Sequence, residues 1–335
     1  MVNFVSIIKD LPSSVPFVGP EAHERMRKIE FKARIGANEN VFGPSPKALS
    51  AMKDCLNRLW MYGDPENYDL KRAIANHHKV NPENVVVGEG IDCLLGYLVR
   101  LLIEPGRSVV TSHGAYPTFN YHVKGYGGHL HYVPYKDDHE DIDELLEKAI
   151  STKAALIYIS NPDNPMGTWH ERSVIENLVD NLPKETVLCL DEAYADFVPP
   201  DDLPSLDLAK PNVIRFRTFS KAYGMAGARV GYAISSTELI GSFEKIRNHF
   251  GVNLIAQVGA FTALHDQAYL SEVLQKVDFS KEEIVKIATE NDLIAIPSKA
   301  NFVAIDCGRD GNYANYILNN LLQKNIFLRM PSVSP

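Results

Sequence analysis

Between Val85 and Ile234 the chain alternates short apolar or β-branched runs with segments of helical period. The runs are Val85 to Val87, Ser108 to Thr111, His129 to Val133, Ala154 to Ser160, Thr186 to Leu190, Val213 to Phe219 and Val230 to Ile234. Between most of them lie Ile91 to Ile103, Pro117 to Gly125, Ile142 to Ile150 and Glu171 to Leu182, whose apolar residues recur at helical spacing. Short apolar strands joined by helices predict a mostly parallel sheet covered on both faces. The expected fold class is therefore α/β: a three-layer α/β/α large domain with a mostly parallel seven-stranded sheet.

Upstream, Ser45 and Pro46 are placed to cap and open a helix reaching Arg58, and a second amphipathic helix runs from Tyr68 to about Lys79. Met1 to Ala33 reads as an irregular arm or a short helix. After Ser236 the alternation stops. Helices are expected from about Leu254 to Gln275 and around Lys281 to Glu290, with strands at Leu293 to Ile296 and Phe302 to Ile305 and a helix at Tyr313 to Gln323. These form a smaller α+β domain. The expected division is a large domain over residues 38–250 and a small one from residues 1–37, the N-terminal arm, with 251–335.

Composition excludes several partners. A length of 335 residues suits one large domain and a smaller one, and 45% hydrophobic with 23% charged residues is ordinary globular usage. A net charge of -8 supplies no basic face for nucleic acid. No apolar run approaches the roughly 18 residues of a membrane span. Met1 to Pro20 has no basic segment leading into a long apolar one, so no secretory signal is expected. The four cysteines are scattered without a C-x-x-C pair, which suits reduced thiols in a cytoplasm. Cys189, inside an apolar run, is expected in the core.

In open parallel sheets ligands sit beyond the carboxyl ends of the strands, so the loops after each run are the places to look. Gly88-Glu89-Gly90-Ile91-Asp92 opens a helix, whose first N–H groups can hold an anion; alone, it fits a capped turn equally well. Neither a third glycine nor a P-loop lysine completes a nucleotide fingerprint. Tyr116 could stack on a planar ligand or simply pack. Asn161 to Gly167 contains two Asn–Pro steps and forms a rigid turn that points the Asn164 amide at the strand ends. Asp191 ends an apolar run and needs a partner, either a metal or a protonated ring nitrogen. Lys221, in Thr218-Phe219-Ser220-Lys221-Ala222-Tyr223-Gly224, is either a surface lysine or a desolvated, reactive amine of the Schiff-base kind. Arg229, with Ser220, suits a phosphate or a surface ion pair. Together these residues place an anion cradle, an aromatic plane, an amide, a carboxylate, the Tyr194 phenol, an amine and a guanidinium on the strand ends. That set matches pyridoxal 5'-phosphate, whose sites pair a lysine with an acidic partner for the pyridinium nitrogen.

On Asn38 to Pro46, Tyr62 to Pro65, Gly90 to Asp92, Asn161 to Gly167, Asp191 to Tyr194 and Thr218 to Gly231, the chain resembles the fold-type I pyridoxal-phosphate aminotransferases. The resemblance is strongest to the histidinol-phosphate aminotransferase branch. It implies a homodimeric enzyme that moves an amino group between a small-molecule amino donor, histidinol phosphate-like or aromatic, and a 2-oxo acid such as 2-oxoglutarate. It implies that Lys221 bonds the cofactor and shuttles the proton, and that Asp191 pairs with the ring nitrogen. Tyr194 and Asn164 would bond the phenolic oxygen, while Tyr116 stacks on the ring. Gly90, Ile91, Asp92, Ser220 and Arg229 would cradle the phosphate, and Tyr62 would reach the phosphate of the neighbouring subunit.

Three departures bear on activity. Met166 stands where the family turn has threonine, and Cys93 where an acidic residue is usual. The chain stops at Pro335, before the family's strand with the arginine for the substrate carboxylate, and Arg329 is not assigned that role. A truncated C-terminal part, another cation for the carboxylate, or a cofactor-binding protein with little catalysis would each fit. An amino-acid-phosphate decarboxylase of the same branch is the alternative enzyme.

Overall fold

The computed structural model describes residues 2–9, 11–12 and 18–331. The terminal Ser332 to Pro335, on which the expectation of a missing strand partly rests, lie outside the described residues. The seven expected runs become β1 (Val85–Gly88), β2 (Ser108–Ser112), β3 (His129–Val133), β4 (Leu156–Ser160), β5 (Val187–Asp191), β6 (Val213–Thr218) and β7 (Gly231–Ile234). They form one sheet of seven strands in the order β1-β7-β6-β5-β4-β2-β3. The pairs from β6 through to β3 are parallel, and β7 runs antiparallel to both β6 and β1.

Alternation along the strands sorts the core into layers. On β4, Leu156 and Tyr158 pack with Leu94, Leu95 and Leu98 of the helix Ile91–Leu102 and with Phe119 of the helix Pro117–Gly125. Their neighbours Ile157 and Ile159 pack with Leu145 of the helix Ile142–Thr152 and Ile175 of the helix Arg172–Asn181. Successive strand residues point to opposite faces, so both faces must be covered, and they are. At the β1 edge, Val85, Val87 and Tyr232 meet the helices Tyr68–His78 and Leu254–His265.

β6 is less apolar than its place in a sheet suggests. Ile214 and Phe216 enter the core, whereas Arg215 and Arg217, on the other face, are buried as an ion-paired set with Glu192. The helices beyond Ser236 also differ from expectation. The break falls at Asp266, between Leu254–His265 and Gln267–Glu290, and not near residue 278. Asp266 Oδ2 accepts from Ser45 Oγ at 2.6 Å and Oδ1 from Lys47 Nζ at 2.7 Å, which holds it at non-helical φ -97, ψ 61. Buried Val273 and Val277 carry an apolar stripe straight through the expected gap.

The other end of the chain is tied to the first. Pro20–Arg27 is helical, and Ala33–Arg34 pairs in parallel with Ile326–Phe327, which puts Leu328 and Arg329 beside Gly36. Among the described residues no helix is long and apolar enough to cross a membrane.

Candidate active site

The carboxyl ends of β4, β5 and β6 open into a cavity of about 420 Å³. Ile91, Asp92, Tyr116, Asn164, Asp191, Tyr194, Ser220, Lys221 and Arg229 all line it. Residues that follow β1, β2, β4, β5 and β6 meet there because parallel strands deliver their carboxyl ends to one edge of the sheet.

Lys221 follows β6 by three residues. The Thr218 hydroxyl accepts from the Ser220 N–H at 3.0 Å and ends the strand in a turn. Asn40 braces that turn from outside, its Nδ2 donating to the carbonyls of Lys221 at 3.0 Å and Ala222 at 3.1 Å. Gly224 completes it at φ +65, where a Cβ would lie 2.3 Å from the carbonyl oxygen of Gly43. The ammonium donates to the Asn38 carbonyl at 3.0 Å and lies 5.4 Å from the centre of the Tyr194 ring. Asn38, left-handed at φ 55, also donates from Nδ2 to Tyr194 Oη at 3.3 Å. It belongs to the cavity wall, a role that its place in the sequence did not reveal.

Asp191, at the end of β5, is almost wholly buried. Its Oδ2 accepts from Tyr158 Oη at 2.8 Å and its Oδ1 from the Ala193 N–H at 3.0 Å. Burial pushes the carboxyl up to about 6, against which these two bonds work. Among the described residues no lysine or arginine forms an ion pair with it, so the site has a carboxylate that a cationic ring nitrogen would complement.

At the amino end of the helix Ile91–Leu102 no side chain caps the first turn, and Gly90 sits at φ 84. A Cβ on Gly90 would lie 2.4 Å from Arg229 Nη2, so the glycine makes room for the guanidinium. Arg229 Nη1 lies 3.4 Å from Ser220 Oγ, and its Nη2 lies 3.6 Å from Asp92 Oδ2. Free N–H groups, a hydroxyl and a guanidinium around one point form an anion cradle. Tyr116 Oη donates to Asp92 Oδ1 at 2.8 Å, which orients its ring along the cavity wall; burial, then Asp92, raises its phenol pKa.

One residue enters the site without having been assigned to it, and one stands apart from it. Arg329 enters the cavity wall and donates from Nη2 to Asn164 Oδ1 at 2.8 Å, leaving the Asn164 amide N–H groups for another acceptor. The pairing of residues 33–34 with 326–327 carries it there, and nothing local to Arg329 signals that pairing. Tyr62 lies outside the cavity, 81% exposed, with its ring 4.8 Å from that of Phe250.

An amine, a buried carboxylate with no ion pair among the described residues, and an anion cradle on consecutive strand ends fit the aldehyde, ring nitrogen and phosphate of pyridoxal phosphate. Similarity to known proteins points the same way. The family model for aminotransferase class I and II matches residues 32–331. The histidinol-phosphate aminotransferase of Moorella thermoacetica is 32% identical over 321 residues, covering 94% of this chain and 82% of that one. That of Anaeromyxobacter is 35% identical over 309 residues, 91% of this chain and 85% of the other. A crystal structure of histidinol-phosphate aminotransferase from Sinorhizobium meliloti in complex with pyridoxal-5'-phosphate superposes with a TM-score of 0.97. It is 50% identical and covers 100% of this chain and 91% of that one. An aspartate aminotransferase mutant from Thermus thermophilus, 20% identical with a TM-score of 0.83, covers 97% of this chain and 91% of that one; it shares the fold. The strand-end lysine, the carboxylate beside it and a match spanning nearly the whole described chain agree: this chain belongs to the class I and II aminotransferases.

Proposed function

We propose that the protein is a pyridoxal-phosphate-dependent aminotransferase of the histidinol-phosphate type, moving an amino group between an amino donor and a 2-oxo acid such as 2-oxoglutarate. One observation carries the reading: Lys221 and Asp191 face one cavity from adjacent strands, with the anion cradle beside them. When bound, pyridoxal phosphate supplies an electrophilic carbon for amines and a ring that withdraws electrons. Lys221 would bond that carbon, and its Nζ, when free, would be the base placed to move a proton at the substrate α-carbon. Asp191 keeps the ring nitrogen protonated, which is the form that withdraws electrons best. Tyr194 Oη and the Asn164 amide would donate to the cofactor's phenolic oxygen. The N–H groups at Ile91 and Asp92, with Ser220 and Arg229, take the phosphate. Arg329 adds a positive charge to the cavity where an anionic substrate group would lie.

The relatives named above are aminotransferases, and that favours transamination over decarboxylation or binding without turnover. The reading includes a large cofactor domain over residues 38–250, a smaller one built from the two chain ends, and a cytoplasmic location. It also includes a homodimer: Tyr62 at 81% and Trp60 at 82% exposure form an apolar surface that a second copy would cover, with Tyr62 reaching its phosphate site.

The test is spectroscopic. Purified with pyridoxal phosphate, the protein should show a visible absorbance band that borohydride bleaches, leaving the cofactor on the Lys221 peptide by mass spectrometry. Histidinol phosphate should convert the bound cofactor to its amine form faster than an aromatic amino acid does. Lys221→Ala should lose both the covalent attachment and turnover; attachment at another lysine would overturn the assignment.

A further inference from the structure

Beside the cavity, on the far side of Asn164, two carboxyl groups that no step above uses are buried against each other. Glu140 ends the hairpin strand His139–Glu140, which pairs with Tyr135–Lys136. Asp163 lies in the turn between β4 and the helix Arg172–Asn181, directly before Asn164. Each keeps 2% of its surface exposed, and their side chains hydrogen-bond one another. A bond between two carboxyl groups needs a proton on one of them.

The remaining partners show which one. Asp163 Oδ1 accepts from Tyr135 Oη at 3.0 Å and Oδ2 from the Met166 N–H at 2.9 Å, so with Glu140 it accepts three donors, as an ionised carboxylate does. Glu140 Oε1 accepts from the Ser160 N–H at 2.9 Å and Oε2 from Ser112 Oγ at 2.6 Å. It completes its bonding by donating to Asp163. The groups facing the pair are the phenols of Tyr135 and Tyr158, the Ser112 hydroxyl and the imidazoles of His170 and His139. None is a fixed cation. Burial holds the His170 imidazole below its ordinary value, and its ring bonds the Glu140 carbonyl at 2.8 Å.

We propose that Glu140 and Asp163 share one proton as a positioning pair that clamps the 161–167 turn to the hairpin and so aims Asn164 into the cavity. One further bond runs between the same two segments, Thr168 Oγ1 donating to the Asp138 carbonyl at 2.8 Å, while the Asp163 N–H donates to the Thr168 carbonyl at 2.8 Å and closes the turn on itself. On its other side the turn carries the chain's distal part, because the Lys299 N–H donates to the Gly167 carbonyl at 2.9 Å. A Cβ on Gly167 would lie 2.4 Å from Ser298 Oγ, so the turn sits hard against that segment. A slip of the turn would move Asn164 and, through the 2.8 Å bond at its Oδ1, Arg329. Burial raises both carboxyls, Glu140 well above its ordinary value and Asp163 to about 6, as one proton between two buried acids requires. The catalytic consequence rests on the aminotransferase reading, but the proton itself does not.

Glu140→Gln keeps a neutral donor toward Asp163 and an acceptor for Ser160, and the Ser112 hydroxyl can rotate to suit it. Glu140→Leu removes both. A carboxyl with a raised folded-state pKa stabilises fully at low pH, and that contribution is lost as pH rises through the folded value. The melting temperature of the cofactor-loaded Glu140→Gln protein should therefore rise relative to the unsubstituted protein as pH increases above the ordinary glutamate range. A difference independent of pH would overturn the shared proton. In turnover Glu140→Gln should stay within about threefold, while Glu140→Leu loses on the order of 10- to 100-fold in kcat/KM, the scale of an ångström-sized misplacement. A Glu140→Leu enzyme as active as the unsubstituted one would overturn the positioning role. The melting measurement needs no turnover, so failure of the aminotransferase reading would leave it intact and separately readable.

Discussion

Asp191 and Glu192 are adjacent, buried to nearly the same degree, and pushed in opposite directions. Asp191 turns toward the cavity and meets a phenol and a backbone N–H, and burial raises it to about 6. Glu192 turns to the other face of the sheet. Burial alone would raise it too, but Arg215 at 2.5 Å and Arg217 at 3.0 Å outweigh that and lower it. Arg217 also pairs with Asp196 at 3.4 Å, so that region balances its own charge. Asp191 has no such ion pair among the described residues. A fold that completes one carboxylate with two guanidinia leaves its neighbour for a ligand to complete, and that asymmetry distinguishes a site from a scaffold.

Substitution of each member separates the two roles. Asp191→Asn should fold and still take up the cofactor, with kcat lowered on the order of 1,000-fold, comparable to removing one preorganised electrostatic partner. Near-normal turnover would show that the ring nitrogen needs no carboxylate. Glu192→Gln should leave kcat per folded molecule within a few-fold while costing about 3–5 kcal/mol of stability, because two buried guanidinia lose their counter-charge. Denaturant unfolding measures the second and active-site titration the first. If Glu192→Gln were the inactive one and Asp191→Asn the unstable one, the comparison would be reversed.

pH sharpens the contrast without changing side-chain size. For Asp191, raised in the folded state, stability is full below its unfolded value and is lost as pH rises toward about 6. Asp191→Asn should therefore gain on the cofactor-free protein by up to about 3 kcal/mol between pH 4 and pH 7. Glu192, lowered in the folded state, contributes above its unfolded value and loses that contribution as pH falls through the folded one. Glu192→Gln should approach the unsubstituted protein in acid. Unfolding curves at several pH values give both slopes, and parallel slopes would refute the opposed environments.

The contrast also marks what a reader of residues alone could reach. β3, His129–Val133, and the helix Pro117–Gly125 match their expected spans residue for residue, because period and proline placement are local signals. The cavity wall was legible for a related reason: once parallel strands are inferred, their loops must meet at one edge. Arg215 and Arg217 were not legible as a buried set, since their partner Glu192 lies more than twenty residues away across the sheet. Arg329 reached the cavity through two-residue pairing of the chain ends, too short to leave a pattern. The helix break at Asp266 is dictated by Ser45 and Lys47, more than 200 residues distant. Glu140 and Asp163 stand more than twenty residues apart with no shared pattern, and only their meeting in the fold makes them a pair.

Tyr158→Phe gives the smallest and most discriminating effect. Tyr158 is fully buried, stacks on Phe119 with ring centres 4.3 Å apart, and its hydroxyl donates to Asp191 at 2.8 Å. Phenylalanine keeps the stacked ring and deletes only the donor. Asp191 then retains the Ala193 N–H alone, and its carboxylate is less stabilised, so its pKa should rise further. A net hydrogen bond to a charged group contributes about 1.5–3 kcal/mol, and part of that returns when the acid takes up a proton. Stability should fall by about 1 kcal/mol near neutrality and by less in acid, where the donor matters little. With cofactor bound, a cationic ring nitrogen would hold the carboxylate ionised, and the loss in kcat should stay below about tenfold. A deficit as large as that of Asp191→Asn would place the decisive interaction in the phenol. An unchanged pH dependence would mean that Tyr158 contributes packing alone.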